Sequence, residues 1–433
     1  MTSGGVSAWA MLLGRLAGRL WVRVALFALL AVAGAALAGL FEHRIPAGLR
    51  DRFTTGSLLP ILTILASGML AVSTFSLNVM VSAHNAAARQ TTPRVHRVLL
   101  ADTTTQTVLA VFIGAFVYAL SAIILIRSGF YPEGAGVLLL AMTVAVVVLV
   151  VLSLLRWIDH LSDLGSMDAT LAAIEDATRG CLLRSRRLPA LGGVVAEAGP
   201  PAPSAAKADA GRTLPGGAQP IAAPATGYVQ FIDMRRIDAL LGTAQISVRL
   251  VIRTGDYVIE GQVIGHARGL DDTSAQELAR HLTIGPHRTF EQDAGYGLLV
   301  LSETASHALS PSINDPGTAI AVICAQERLL LEWAHARPQE GLPLFARISL
   351  PDVSRESMIE NAFAGPARDG ARQIEVVLRL QEALARLANA PDPALAAAAR
   401  AMRAHARAHA DLALPLASER ARLRAANGDG GER

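Results

Sequence analysis

Residues 134–155 read Gly-Ala-Gly-Val-Leu-Leu-Leu-Ala-Met-Thr-Val-Ala-Val-Val-Val-Leu-Val-Val-Leu-Ser-Leu-Leu, with no charge and no strong helix breaker after Gly136. About 20 such residues in an α-helix cross the ~30 Å hydrocarbon core of a bilayer, whereas a buried soluble helix rarely needs more than about 14. Three more stretches have the same character: Trp21 to Phe41, Leu58 to Val81 and Thr107 to Ile126. None of the four holds Asp, Glu or Lys, and Arg23, one turn inside the first, is their only charge. The expectation is a polytopic membrane protein: a four-helix transmembrane domain over 1–160, followed by a cytoplasmic α+β domain.

Composition agrees. Apolar residues make up 52% of the chain and charged ones 17%, with most of the charge from Arg156 onward. Lys207 is the only lysine among 39 basic residues, an Ala/Arg bias that fits a GC-rich bacterial genome. A net charge of +3 is too small to point to a nucleic-acid partner. Cys181 and Cys324, neither in a CxxC pair, argue against a disulfide framework and suit a reducing compartment. The N-terminal segment leads into a full-length apolar run without a small-residue cleavage site, so it is not expected to be a cleaved signal. Basic residues set the orientation. With the N-terminus inside, Arg15, Arg19, Arg23, Arg89, Arg94, Arg97 and Arg156 flank the inner face, against Arg44, Arg50, Arg52 and Arg127 outside. The reading is a bacterial inner-membrane protein with both termini cytoplasmic.

The second apolar run carries a polar line. Thr63, Ser67, Thr74, Asn78 and Asn85 recur at spacings of 4, 7, 4 and 7, which puts them on one narrow helical face. Such a face either packs against another helix or lines a path for water, an ion or a small solute. Asn78 is the telling member, because an amide turned to lipid leaves its donors unsatisfied.

Beyond the membrane part, 161–187 keeps helical periodicity and reads as a stalk. The Ala/Gly/Pro-rich stretch 188–224 buries too little to offset ordering and reads as a flexible linker. From 225 to 285 the pattern turns to β. Gly255-Asp256-Tyr257-Val258-Ile259-Glu260-Gly261-Gln262 has the GDxVxxGQ spacing of small barrel-like modules, with Gly-Asp and Gly-Gln as turns and valine pointing inward. No lysine stands near to carry a lipoyl or biotinyl group, so a structural β-barrel-like module is expected. Residues 286–425 read as helical, with a strand from Leu344 to Leu350 returning to the β-module, and 426–433 as a disordered tail. One long helix is expected from about Phe290 to Leu309. It would end at Ser310-Pro311-Ser312-Ile313-Asn314-Asp315-Pro316, a turn buried in the domain, where Asp315 caps a new helix that has Pro316 first.

The run Ala308-Leu309-Ser310-Pro311-Ser312-Ile313-Asn314-Asp315-Pro316-Gly317-Thr318-Ala319 resembles the signature of the bacterial membrane proteins grouped as domain of unknown function 2254. Three further stretches resemble that family, in the same order: Thr92-Pro93-Arg94-Val95, Gly227-Tyr228-Val229-Gln230 with Ile232-Asp233, and Arg288-Thr289 with Gln292-Asp293. The resemblance implies a membrane protein and brings no reaction with it. It departs at one position, where the family has arginine before the Ala-Leu-Ser-Pro turn and this chain has His307.

Glu303, His307, Ser310, Asn314 and Asp315 form the best candidate constellation for a ligand, a metal or a structural loop. Glu303 and His307 share a helix face at i, i+4, where an acid and a histidine either pair as ions or hold a cation. The second histidine of an HExxH site is missing. Walker, GxSxG, kinase and Rossmann motifs are absent, so no catalytic residue and no cofactor are expected. Three functions remain open: a homo-oligomeric channel or transporter with a cytoplasmic assembly or gating domain, a membrane-anchored scaffold or sensor, and, more weakly, an enzyme using Glu303 and His307. Four spans without an internal repeat favour an oligomer if transport is the task.

Overall fold

The computed structural model describes residues 22, 24–26, 28–29, 32–33, 55–90, 94, 103–131, 136–163, 166–196, 218–242, 246–341 and 343–426. They fall into two compact units, one drawn from 8–89 and 96–169 and the other from 90–95 and 170–433.

The first unit is helical. Helices α1 (Leu59–Gln90), α2 (Thr103–Arg127) and α3 (Gly136–Asp163) follow three of the four apolar runs. Three helices among the described residues are long and apolar enough to cross a membrane: Leu59–Ser82, Thr104–Arg127 and Gly136–Leu161. Of the fourth expected span, Trp21 to Phe41, residues 22, 24–26, 28–29 and 32–33 are described, all as helix, and the rest lie outside the described residues. Leu62, Leu65, Tyr118, Ala119, Ala122 and Leu139 form a common core, with the Tyr118 hydroxyl 3.1 Å from Thr143 Oγ1. Half of the apolar window of α2 is buried, 50%, against 22% for α1, so α2 is the central helix and α1 turns most of its surface outward.

The second unit begins with α4 (Met167–Arg187), whose buried face is Thr170, Leu171, Ile174, Thr178, Cys181 and Leu182. This segment was expected to be a stalk; a helix with one fully packed face is instead part of the folded unit from Thr170 onward. The linker expectation is corrected at both ends as well. Strand β1 (Gly193–Ala196) and strand β2 (Ala218–Ala222) lie within 188–224, while 197–217 are outside the described residues. Ile221 explains the second strand, because it is wholly buried in the core of the β region.

The remaining strands are β3 (Gly227–Ile232), β4 (Ser247–Leu250), β5 (Tyr257–Val258), β6 (Val263–Arg268), β7 (Leu282–Gly285) and β8 (Phe345–Pro351), with α5 (Met234–Leu241) and α6 (Asp272–Ala279) between them. They make two open sheets, β1-β8-β4-β6-β2 and β5-β3-β7, not the barrel-like module expected. The GDxVxxGQ reading is met locally: Gly255 and Gly261 have positive φ and Val258 is buried. The sheet opens because β8, far along the chain, inserts parallel between β1 and β4 rather than closing a barrel.

The helical part comprises α7 (Ala294–Ala308), α8 (Pro316–His335), α9 (Arg355–Asp369), α10 (Ile374–Leu387), α11 (Pro393–Ala413) and α12 (Ala417–Ala426). The helix expected from Phe290 starts only at Ala294, because Asp293 caps it by accepting from the Tyr296 N–H at 3.1 Å. Trp333 on α8 is buried, with the Arg186 and Arg355 guanidinium groups 4.5 and 5.1 Å from its ring centroid.

Candidate functional site

A crevice of about 240 Å³ opens in the second unit where the β region meets α4, α7 and α9. One wall is the turn Arg253-Thr254-Gly255-Asp256; a second is Arg288, Gln292 and Asp293 with the first turn of α7; the third is Ser357, Glu360 and Asn361 on α9. Each wall has a local reason to stand where it does. Thr254 Oγ1 donates to the Gln292 carbonyl at 2.9 Å. The Gln292 amide then binds the backbone of Ile232 on β3 in both directions, at 2.9 and 3.2 Å, continuing the sheet with a side chain.

Asp293 is the hub. It is 4% exposed, and Arg288 grips it with Nε and Nη2 at 2.7 and 2.9 Å while the carboxylate also caps α7. Gly255, at φ +94°, lies so close that a Cβ there would stand 2.3 Å from Asp293 Oδ2. Burial holds the Asp293 carboxyl above the usual carboxylate range even against the Arg288 bonds and the helix N–H groups. Burial likewise raises Asp256, with Asp293 pushing the same way and the Arg253 N–H and guanidinium opposing. Arg288 keeps its proton more firmly than usual: burial works against its charge, and Asp293 outweighs burial. Across the crevice the Asn361 Nδ2 lies 2.9 Å from where a Gly295 Cβ would be. Nearby, burial pushes the Cys181 thiol up to about 12, so it stays protonated and is no nucleophile at neutral pH.

The residues singled out from sequence are not brought together in this crevice. Glu303 is paired with Arg94 rather than with His307. Burial raises the Glu303 carboxyl and Arg94 opposes it. Arg94, from the Thr92-Pro93-Arg94-Val95 stretch, thus makes a contact that no spacing rule reveals, 209 residues along the chain. His307 is half-buried on the same helix. Among the described residues no group of three or more His, Cys, Asp or Glu could hold a metal.

The Ser-Pro-Ser-Ile-Asn-Asp-Pro turn joins α7 to α8, but it is exposed, not buried, from Pro311 to Asp315. Asp315 caps α8, accepting from the Thr318 N–H at 3.1 Å and the Thr318 hydroxyl at 2.5 Å. Asn314 takes a left-handed conformation, φ 51°, and accepts from Gln373 Nε2 at 2.8 Å. Ser310 and Ser312 hydroxyls lie 3.2 Å apart. The turn's polar groups are spent largely on holding the joint.

On α1, Thr63, Ser67, Thr74 and Asn78 all face outward and are exposed. The three hydroxyls donate to their own helix, Thr63 to Leu59 O at 2.7 Å, Ser67 to Thr63 O at 3.0 Å and Thr74 to Leu70 O at 2.9 Å. Asn78 has no hydrogen-bond partner among the described residues. Asn85 lies within α1, its side chain outside what the structure describes.

Residues 17–386 match the family described as Predicted membrane protein (DUF2254). The chain belongs to this family. Uncharacterized proteins of Mycobacterium bovis and of Mycobacterium tuberculosis strain H37Rv are each 28% identical to it over 361 residues, covering 78% of this chain and 66% of the relative. The chain therefore spans slightly under two thirds of the length of these relatives. No solved structure matches it. The DUF2254 match covers the described apolar helices, the β region and the crevice. The family's membrane character agrees with the three apolar helices.

Proposed function

We propose that this DUF2254 protein is a homo-oligomeric channel or transporter of the bacterial inner membrane, with both termini cytoplasmic. In this reading the Thr63, Ser67, Thr74 and Asn78 face of α1 lines the path for a small ion or polar solute. The carboxy-terminal unit assembles or gates the oligomer. The observation that carries the reading is the outward-facing Asn78. The hydroxyls on that face are satisfied by back-bonding to α1, but an amide set against lipid forfeits hydrogen bonds worth several kcal/mol. Another copy of the helix or a water-filled path removes that cost.

The test is conductance or solute flux of the purified protein in planar bilayers and liposomes, with oligomeric state measured in parallel. Flux that changes selectivity in Asn78→Asp and falls in Asn78→Leu is expected. A monomer without flux overturns the reading.

A second reading, a membrane-anchored sensor, draws its support from the crevice lined by Asp256 and Asn361, whose volume of about 240 Å³ would suit only a ligand of a few atoms. Thermal-shift screening of metabolites against wild type and Asn361→Ala tests it. A ligand that shifts both proteins equally would count against this crevice as its site.

A further inference from the structure

Helix α11 carries Ala404-His405-Ala406-Arg407-Ala408-His409, which sets two imidazoles at i, i+4 on one face. Their Nε2 atoms lie 3.2 Å apart. The ring centroids are 4.6 Å apart and the ring planes stand at 88°. Two imidazoles sharing a straight N–H···N hydrogen bond at that nitrogen distance would hold their centroids about 5.5 Å apart. The observed spacing is well short of that. The two ring nitrogens therefore do not meet head-on, and the rings stand edge to face with both Nε2 atoms close together.

The separation fits one kind of third atom. With metal–nitrogen bonds of ~2.0–2.1 Å, nitrogens 3.2 Å apart subtend roughly 100–106° at the metal, close to a tetrahedral angle. The surroundings suit a cation. His405 is exposed and His409 half-buried, so water can complete the coordination shell. Arg407, two residues from each histidine, lies off that face and pairs with Asp411 at 3.7 Å. The Asp369 carboxylate of α9, bound by the Arg368 guanidinium at 2.8 and 2.9 Å, lies within electrostatic reach of His409.

We propose that His405 and His409 form a bidentate site for an exchangeable transition-metal ion of the imidazole-binding kind, Zn²⁺, Ni²⁺ or Cu²⁺. Imidazole nitrogens suit these ions and not the hard oxygen-seeking Mg²⁺ or Ca²⁺. Since no third His, Cys, Asp or Glu joins the pair among the described residues, the remaining positions belong to water. The ion is therefore exchangeable, unlike one in a closed structural zinc site. It would staple one turn of α11, the helix that packs on both α9 and α10. This proposal is independent of transport and of the crevice.

The test uses the full-length protein in detergent, purified without a polyhistidine tag and stripped with a chelator. It is titrated with Zn²⁺ or Ni²⁺ against a chromophoric competitor, and with Cu²⁺ under electron paramagnetic resonance. One equivalent per chain is expected, with a Cu²⁺ spectrum showing coupling to two nitrogens, and with Mg²⁺ and Ca²⁺ failing to compete. His405→Gln and His409→Gln should each weaken that equivalent by at least the about 10–100-fold that even outer-shell partners contribute, while His335→Gln leaves it unchanged. Helical content by circular dichroism should be the same in all variants, since His405 is exposed and His409 only half-buried. Absence of binding overturns the proposal. So does binding that persists in both variants, which would mean an adventitious ion only.

Discussion

Arg288→Met is expected to be severely destabilising, and the structure gives both the size and the pH dependence of the effect. The substitution removes two hydrogen bonds of 2.7 and 2.9 Å from a carboxylate that is 4% exposed and sits below Gly255, where there is no room for a compensating side chain. Breaking a buried pair from one side costs about 3–5 kcal/mol, because the remaining charge stays desolvated. At about 2–4 °C per kcal/mol for a domain of this size, Tm should fall by about 6–20 °C. The carboxyl can escape part of that cost by taking up a proton. Its folded pKa already lies above the usual carboxylate value because burial outweighs Arg288, and losing Arg288 raises it further. A group with a raised folded pKa binds its proton more tightly in the folded state. Stability is then greatest below the unfolded value, near 4, and falls as pH rises toward the folded pKa. The deficit of Arg288→Met should therefore be larger at pH 8 than at pH 5. Asp293→Asn in the same chain removes the charge but keeps an oxygen for the Tyr296 N–H, so Arg288→Met/Asp293→Asn should recover much of the loss at pH 8. Thermal unfolding of wild type, Arg288→Met and Arg288→Met/Asp293→Asn in detergent at the two pH values measures all of this. An Arg288→Met protein that melts within about 2 °C of wild type at pH 8 would refute the reasoning. So would a deficit that is the same at both pH values and unrelieved by Asp293→Asn.

Gly255→Ala should cost at least about 3 kcal/mol, since φ +94° is strained for alanine and the new Cβ falls 2.3 Å from Asp293 Oδ2; a melting temperature near that of wild type would contradict the close approach. Asp315→Ala should lower stability by about 1 kcal/mol, whereas Asp315→Ser, which keeps a capping oxygen, should be nearly neutral. The Thr318 bonds hold the Asp315 carboxyl below the usual range, so its contribution is present above the unfolded pKa, and the gap between wild type and Asp315→Ala should narrow below about pH 4. For orientation, Ser128→Cys, between α2 and α3, should react with an impermeant thiol reagent in intact cells, and Ser166→Cys should not, both in a background lacking Cys181 and Cys324. The reverse pattern would invert the topology.

What could be read from the sequence was local in its physics. An apolar run of 20 residues declares a span by itself, and α1, α2 and α3 lie where hydropathy puts them. Asp315 with Pro316 declares a helix start by itself, because the cap, the fixed φ of proline and the acceptor for Thr318 are three adjacent residues. What could not be read depends on segments that meet only in the folded chain. Strand β1 has just Gly193-Val194-Val195-Ala196 to announce it, and its partner β8 is about 150 residues away. Ile221 is buried in a stretch whose Ala and Pro content argues for a linker. The Ser-Pro-Ser-Ile-Asn-Asp-Pro turn looked like an interior joint because it is so distinctive, but a short turn satisfied by its own Asp315 and by Gln373 has no need of burial. The crevice was invisible for the same reason: Gly255, Asp293 and Asn361 come from three separate segments.

This division bears on how the family-like stretches should be understood. Arg94 is engaged by Glu303, Arg288 by Asp293, Gln292 by the β3 backbone, and Asp315 and Asn314 by the α7–α8 joint. Each of these residues spends its polar groups inside the protein, which is what a residue that maintains a fold does. Among the described polar groups that hold no such fold contact are Asn78 on α1, Asn361 in the wall of the crevice and the two imidazoles on α11, which meet only each other. A buried ion pair removed from one side fails as a unit, so variants of Arg288 or Asp293 that abolish any activity will do so together with stability. Asn78, Asn361, His405 and His409 can be replaced at little cost to the fold. Loss of flux, of ligand or of metal in those variants, with Tm unchanged, is therefore the result that assigns function to a site.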